Sequence, residues 1–240
     1  MGNKSILMSI QPQWLAKILN GEKTIEIRKK FPKDYVGWVY IYCTKGKEKL
    51  FHCKLHVVHN IDGTWMHNQH ETYIKYGVAK NLDIFQDNIH ENGRHGELDL
   101  YDYVEEYEWE DDELNGKVVA RFWCDKVEEI KYHPYECTFY TDTVDTIISV
   151  DNPVSSFEKA SGLSYYDLSD YLYNGKDKIG YAIHISKLEV FDKPNNLRDY
   201  VKYDKNHIQI DNCIIGFGFG SCERLTKAPQ SYMFVEGEND

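Results

Sequence analysis

Long apolar runs are missing from this sequence. Its 240 residues contain no apolar stretch of about 18 residues, the length that a membrane-spanning helix needs. The start, MGNKSILMSI, lacks the basic segment and long apolar core of a signal peptide. We therefore expect a soluble cytoplasmic protein with no membrane partner.

Paired cysteines and the common catalytic motifs are also absent. The six cysteines are scattered without a C-x-x-C pair, which argues against a zinc knuckle or a disulfide framework. No H-E-x-x-H and no G-x-S-x-G occurs, and the glycine-rich stretch 216–221 lacks the lysine of a Walker loop. That stretch predicts a bent or closely approached strand instead. These absences exclude the metalloproteases with H-E-x-x-H, the α/β-hydrolases with G-x-S-x-G and the P-loop NTPases.

Histidines are dense in one segment, and a metal site there is conceivable. Without a glutamate motif or a cysteine pair beside them, they are more typical of surface residues. We therefore predict no metal and no cofactor. The five are His52, His56, His59, His67 and His70.

Charge is distributed unevenly along the chain. The net charge is −11, but residues 97–113 hold ten acidic and no basic residues, so the rest of the chain sums to −1. Residues 1–54 carry eleven Lys and Arg against four acids, a balance of +7. The chain thus combines a basic N-terminal part, which suits an anionic ligand, with an acidic segment.

The N-terminal pattern predicts a strand, a helix and two further strands. Residues 5–10 are apolar, Pro12 suits the first position of a helix, and Gly21 suits the left-handed position after its end. The stretch GEKTIEIRKK then predicts a strand, and residues 36–44 predict another.

The rest of the chain adds strands, one helix and two long variable segments. We predict strands at 116–130, 180–191 and 231–236, and a helix at 164–175 that begins after Ser164. The fold class predicted is α+β, mainly β, with a small elaborated β-barrel. One domain spans 1–240, with insertions at about 46–115, which is acidic and rich in His and Tyr, and at 131–160.

The stretch GEKTIEIRKK places polar and apolar residues alternately. In a strand Thr24, Glu26 and Arg28 share one face, and Ile25 and Ile27 point to the other. Lys23 stands at the turn beside them. A solvated strand edge would have this pattern, and so would one wall of a polar binding cleft.

A family resemblance favours the cleft. Gly21, Lys23, Glu26 and Arg28 have the G-x-K-x-x-E-x-R spacing of the ASCH family, which has a PUA-like fold, and they follow the first predicted strand and helix. Residues 181–194 and 228–236 also resemble this family, particularly its phage-associated and bacterial members. The resemblance extends over roughly half of the chain.

The resemblance implies a PUA-like β-barrel with flanking helices and a polar cleft beside the first helix. It further implies that the cleft binds RNA, a nucleotide or a modified nucleoside. Arg28 can bind a phosphate with two hydrogen bonds, Lys23 can bind one as a point charge, and Glu26 can accept from an exocyclic amine. The implied nucleic-acid-binding residues are Lys23, Glu26, Arg28, Tyr42, Thr44, Ser186, Gln230, Ser231 and Tyr232.

Two alternatives stay open. The same cleft could be catalytic through Lys23 and Glu26, either as a ribonuclease or as an amidohydrolase acting on a modified nucleoside. The amidohydrolases of this group resemble G-x-K-T-x-T-x-R, with a threonine where this chain has Glu26. Alternatively, residues 97–113 could dock a basic protein, as in a phage-type interaction module.

Overall fold

The structure is a computed structural model in which strand predominates. About half of the described residues lie in strands and about a fifth in helices, which confirms the prediction of an α+β, mainly β protein. Parts of two predicted features, 97–102 and 111–113 of the acidic run and the glycine-rich stretch 216–221, lie outside the described residues. The residues described are 4–61, 64–93, 103–110, 114–144, 147–149, 155–173, 179–203 and 224–237.

Thirteen strands are found in the described residues. They are β1 Lys4–Ile10, β2 Ile25–Arg28, β3 Gly37–Cys43, β4 Lys49–Ile61, β5 Thr64–Ala79, β6 Tyr103–Glu110, β7 Lys117–Cys124, β8 Val127–His133, β9 Thr138–Tyr140, β10 Ile148–Ser149, β11 Ile179–His184, β12 Ser186–Asn196 and β13 Tyr232–Glu236.

Four α-helices accompany these strands in the same residues. They are α1 Pro12–Leu19, α2 Leu82–Gly93, α3 Ser156–Ser161 and α4 Tyr165–Tyr173. Pro12 opens α1, and Gly21 follows its end at φ +75°, so both sequence signals are confirmed. The Ser164 hydroxyl accepts from the Asp167 amide at 3.2 Å and caps α4 as predicted. Among the described helices, none has the length and apolar character to cross a bilayer.

The chain divides into two compact units. The first unit comprises 1–10, 21–42 and 116–240, and the second comprises 11–20 and 43–115. The whole segment predicted as an insertion at 46–115 therefore belongs to the second unit. A single domain with insertions and a PUA-like barrel stay predictions.

The first unit contains two five-stranded sheets. Their strand orders are β12-β7-β3-β1-β13 and β10-β9-β8-β11-β2. The inward face of β7 is formed by alternate residues without exposed surface, which are Val118, Ala120, Phe122 and Cys124. In the second sheet, β2 is a terminal strand and pairs antiparallel with β11.

Two predicted strands are each divided between these sheets. Residues 116–130 form β7 in one sheet and β8 in the other, and residues 180–191 change sheet at Ile185. The chain thus turns a corner from one sheet to the other at 125–126 and at Ile185. The apolar alternation continues through both corners, so the sequence pattern does not show them. The predicted end of the strand at 191 is wrong, because β12 continues through Pro194 to Asn196: β12 is an outer strand, and Pro194 lies in a register shift between Val190 and Asn195.

The second unit has a three-stranded sheet in the order β5-β4-β6. Its core lies between this sheet and α2, where the rings of Phe51 and Phe85 stack at 5.5 Å. Asn20 pairs with the outer strand β5, since its side chain donates to the Tyr76 carbonyl and accepts from the Tyr76 amide, both at 2.9 Å. Few local signals indicate these long strands, because His, Lys and Tyr stand at many of their positions.

One carboxylate, Glu128, ties β8 to β11 in the first unit. Its Oε2 lies 2.6 Å from His184 Nε2, and its Oε1 accepts from the Thr143 hydroxyl at 2.5 Å and contacts Lys126 Nζ at 3.0 Å. Burial by itself raises the pKa of Glu128, but the bonds from Thr143, Lys126 and His184 outweigh burial and lower it to about 2.

Glu128 should make stability depend on acidic pH. A carboxyl whose pKa is depressed by folding stabilises the fold fully above its unfolded pKa, and this stabilisation is lost as pH falls from about 4.5 towards about 2. We expect Glu128→Gln to lower the free energy of unfolding at pH 7 by on the order of 3 kcal/mol. Urea denaturation at pH 7, 4.5 and 3 measures the difference from wild type, which should shrink with acid. The exposed Glu136→Gln is the control, and a difference that does not change with pH contradicts the assignment.

Candidate functional site

Strand β2 divides its side chains as the alternation predicts. Ile25 and Ile27 are buried in the apolar cluster of the second sheet, together with Ile130 and Ala182. Glu26 therefore lies on the opposite face, but only 6% of it is exposed. A solvated strand edge is excluded by this burial.

Three charged side chains form a buried cluster on this face. The Glu26 carboxylate has Lys23 Nζ 3.4 Å from one oxygen and Arg28 Nε 3.0 Å from the other. Their side chains are only 2%, 8% and 13% exposed for Lys23, Glu26 and Arg28. With two cations and one anion, this charge cluster carries a formal charge of +1, and Arg28 is its most exposed member.

Lys23 is held by the end of helix α3. The last carbonyls of a helix lack partners inside the helix, and cations are favourable beside them. Lys23 Nζ donates to the Ser161 carbonyl at 2.5 Å, and the neighbouring Thr24 amide donates to the Ala160 carbonyl at 2.8 Å. Gly162, at φ +67°, turns the chain away after these two carbonyls.

Arg28 is bound by strand β1, and its buried Nε–H group makes no hydrogen bond to a described residue. Its Nη2 donates to the Ser9 carbonyl at 2.6 Å. The Nε contact with Glu26 is close, but the N–H does not point along a hydrogen bond, so the contact is an ion pair. Nε is thus a buried donor without a hydrogen-bond acceptor among the described residues.

The predicted C-terminal residues come close to Arg28 through Ser9. The Ser9 amide donates to the Ser231 carbonyl at 3.0 Å, and its hydroxyl donates to the Pro229 carbonyl at 2.7 Å. The Tyr232 ring lies 5.3 Å from the ring of Phe31, which follows β2. The structure thus brings the segment of Gln230, Ser231 and Tyr232 to the strand that Arg28 contacts.

The remaining predicted residues have other surroundings. Ser186 donates from its hydroxyl to the Trp123 carbonyl at 2.8 Å, although its neighbour Ile185 bonds the Thr24 carbonyl at 2.9 Å. Tyr42 is buried in the apolar cluster around Val118. Thr44 lies in the second unit, where its carbonyl accepts from Asn115 Nδ2 at 3.2 Å.

Ser9 and Ser161 are site residues that sequence reasoning missed. Both contribute a backbone carbonyl, so their side-chain identity carries no signal. A partial signal existed for Ser161, because Ser155, Glu158 and Gly162 have the spacing of a short capped helix.

The described part of the acidic run is a structured strand. Glu106, Glu108 and Glu110 alternate along β6 with Tyr107 and Trp109, whose rings stack at 5.5 Å in the core of the second unit. Lys54 Nζ neutralises part of the carboxylate row, at 3.0 Å from Glu108 and 3.2 Å from Glu110.

The histidine segment contributes two described side chains to this sheet. His52 and His56 share a face of β4 because they are four residues apart, and they pair with Glu110 and Glu106 of β6. His56 Nε2 lies 3.7 Å from Glu108 and its Nδ1 lies 3.1 Å from the Thr72 hydroxyl. The part of the chain that the structure describes contains no group of three or more His, Cys, Asp or Glu that could hold a metal ion.

Comparisons with known proteins return no relative: no family model, no curated protein and no solved structure matches this chain.

Breaking the charge cluster should cost far more than breaking a surface pair. Glu26→Gln leaves two buried cations without a counter-charge, and we expect a loss of about 3–5 kcal/mol in the free energy of unfolding. Glu189→Gln, which removes the exposed partner of Arg121, should cost less than about 1 kcal/mol. Urea denaturation of both variants makes the comparison.

The variant Lys23→Met/Glu26→Leu/Arg28→Met tests whether the three charges are needed for folding. Apolar replacements of similar volume often match or exceed the stability of a buried ion cluster, so this variant should be more stable than Glu26→Gln. A triple variant that is less stable than Glu26→Gln would show that the charges are needed for folding.

Proposed function

We propose that this chain is an ASCH-type domain that binds RNA, a nucleotide or a modified nucleoside through Lys23, Glu26 and Arg28. The observation that carries the proposal is the burial of three charged side chains around a strand of four residues. Packing alone does not account for them, because apolar residues would fill the same space at no greater cost. Clusters of buried charged side chains in mutual contact are common at functional sites.

The three residues have different roles in this proposal. Arg28 has the most exposed side chain and a buried Nε without a hydrogen-bond acceptor among the described residues, so it is the group that meets the ligand. Lys23 and Glu26 are positioning residues, since one is fixed by the end of α3 and the other lies between the two cations. The formal charge of +1 favours an anionic ligand, and a guanidinium binds phosphate with directed hydrogen bonds.

Anisotropy titrations with labelled single-stranded RNA of about 12 nucleotides test this assignment. We expect wild-type affinity to fall as salt rises, because phosphate contacts release counterions. Arg28→Ala should bind about tenfold more weakly or worse, as expected for loss of a charged hydrogen bond. The matched control is the exposed Arg198→Ala in the same unit, which should bind as wild type.

Two results would contradict the proposal. Affinity that is independent of salt would exclude phosphate recognition. Equal losses in Arg28→Ala and Arg198→Ala, with both variants folded by circular dichroism, would show that charge in general, and not this site, attracts the RNA.

The enzymatic alternative differs from binding alone because an enzyme would change the ligand chemically. A general base must come within hydrogen-bond distance of the substrate's proton, whereas the Glu26 side chain is only 8% exposed and lies between two cations. RNA recovered from the titration and run on a denaturing gel should be intact if the site only binds. Shortened RNA that disappears in Glu26→Gln would favour the ribonuclease.

The acidic alternative needs a gentler test than deletion. Removing 97–113 would delete β6 and with it part of the core of the second unit. Glu106→Gln/Glu108→Gln/Glu110→Gln removes charge and keeps the strand. Unchanged RNA binding in this variant is expected if the charge cluster is the site.

A further inference from the structure

Tyr171 presents an aromatic ring at the end of the motif strand. It lies on α4, whose Leu168 and Leu172 are buried in the apolar cluster, whereas 38% of Tyr171 is exposed. The Lys29 ammonium lies 5.2 Å from the centre of the ring. Because Lys29 directly follows Arg28, this contact brings the ring to the end of β2 at which Arg28 lies.

The charges of Arg28 and Glu26 also act on the Tyr171 hydroxyl. Burial of the hydroxyl raises its pKa, the positive charge of Arg28 lowers it, and the negative charge of Glu26 raises it again. A hydrogen bond with the Lys29 backbone lowers the same pKa. One turn earlier on α4, the Asp167 carboxylate is engaged by Ser164 through its amide at 3.1 Å and its hydroxyl at 2.6 Å.

We propose that Tyr171 is a stacking platform for an unpaired base and that Lys29 binds the phosphate next to that base. The ligand is then a single-stranded nucleic acid or a nucleotide, and not a duplex, whose base faces are covered by their neighbours. This inference rests on the proposed function of the charge cluster and names the ligand class that the site takes.

The present contact between Lys29 and Tyr171 does not block such a ligand. An exposed cation–π contact is weaker than the stacking of a base on an aromatic side chain. A base can therefore cover the ring, while the long and exposed Lys29 side chain moves to a phosphate. Lys30, which is also exposed, adds positive charge at the same end of β2.

The experiment compares two labelled probes of equal charge. One is a single-stranded oligouridylate, and the other has the same sugar–phosphate backbone with abasic sites. We expect wild type to bind the oligouridylate about 5-fold to 100-fold more tightly, the range for stacking of a base. Tyr171→Leu keeps an apolar side chain on α4 and should bind both probes equally, at the wild-type abasic affinity. Tyr171→Phe should keep the preference for bases.

Further variants separate this inference from the proposal on which it rests. Arg28→Ala should weaken binding of both probes, and Lys29→Gln should reduce the salt dependence of binding by about one phosphate contact. If Tyr171→Leu, folded by circular dichroism, binds the oligouridylate as wild type does while Arg28→Ala does not, stacking is overturned and the charge cluster stands. If wild type binds neither probe, the stacking inference is overturned together with the binding of RNA by the charge cluster.

Discussion

The Glu26 carboxylate stands between two cations that the fold has taken out of water. A buried Lys23 or Arg28 without a counter-charge would destabilise the fold. Glu26 alone does not satisfy the hydrogen-bond donors of either side chain. Each cation also needs a carbonyl oxygen, which Ser161 and Ser9 provide from distant parts of the chain. The position of the Glu26 carboxylate therefore constrains the end of α3, the end of β1 and the turn before β2 that carries Lys23.

The same contacts explain why a strand of four residues is well defined. On one edge, β2 pairs with β11, and its isoleucines pack in the apolar cluster. Just before it, Lys23 and Thr24 satisfy the last carbonyls of α3. The charged face and the apolar face of β2 are thus fixed independently, which suits a site whose donor atoms must be held in place before a ligand arrives.

Much of the N-terminal part could be predicted because its signals are local. Alternation separates Ile25 and Ile27 from Glu26, and Pro12 and Gly21 mark the beginning and end of α1. Local signals do not extend to partners far along the chain. The carbonyls that hold Lys23 and Arg28 have no side-chain signature, and Tyr171 is one of 19 tyrosines, of which most could equally pack.

Sheet membership was hidden for a related reason. Apolar alternation reports that a residue points inward, but not which sheet its strand joins, and so the corners at 125–126 and at Ile185 were missed. In β4 the alternation exists, with His52 and Lys54 opposite Phe51 and Cys53. The polar residues of β4 are mainly the long side chains His and Lys, which are not typical of strands, and so the sequence of this segment did not indicate a strand.

The closure of the first unit also sets when the site can form. Arg28 relies on the Ser9 carbonyl, and Ser9 is bound to Pro229, 220 residues further along the chain. Synthesis at roughly 5–20 residues per second leaves β1 without this partner for about 10–40 s. Contacts of such long range also form slowly, because their loop-closure entropy comes first. The charged residues of the motif are therefore synthesised well before the segment that binds Ser9, and the contact between Arg28 and the Ser9 carbonyl is fixed late in folding.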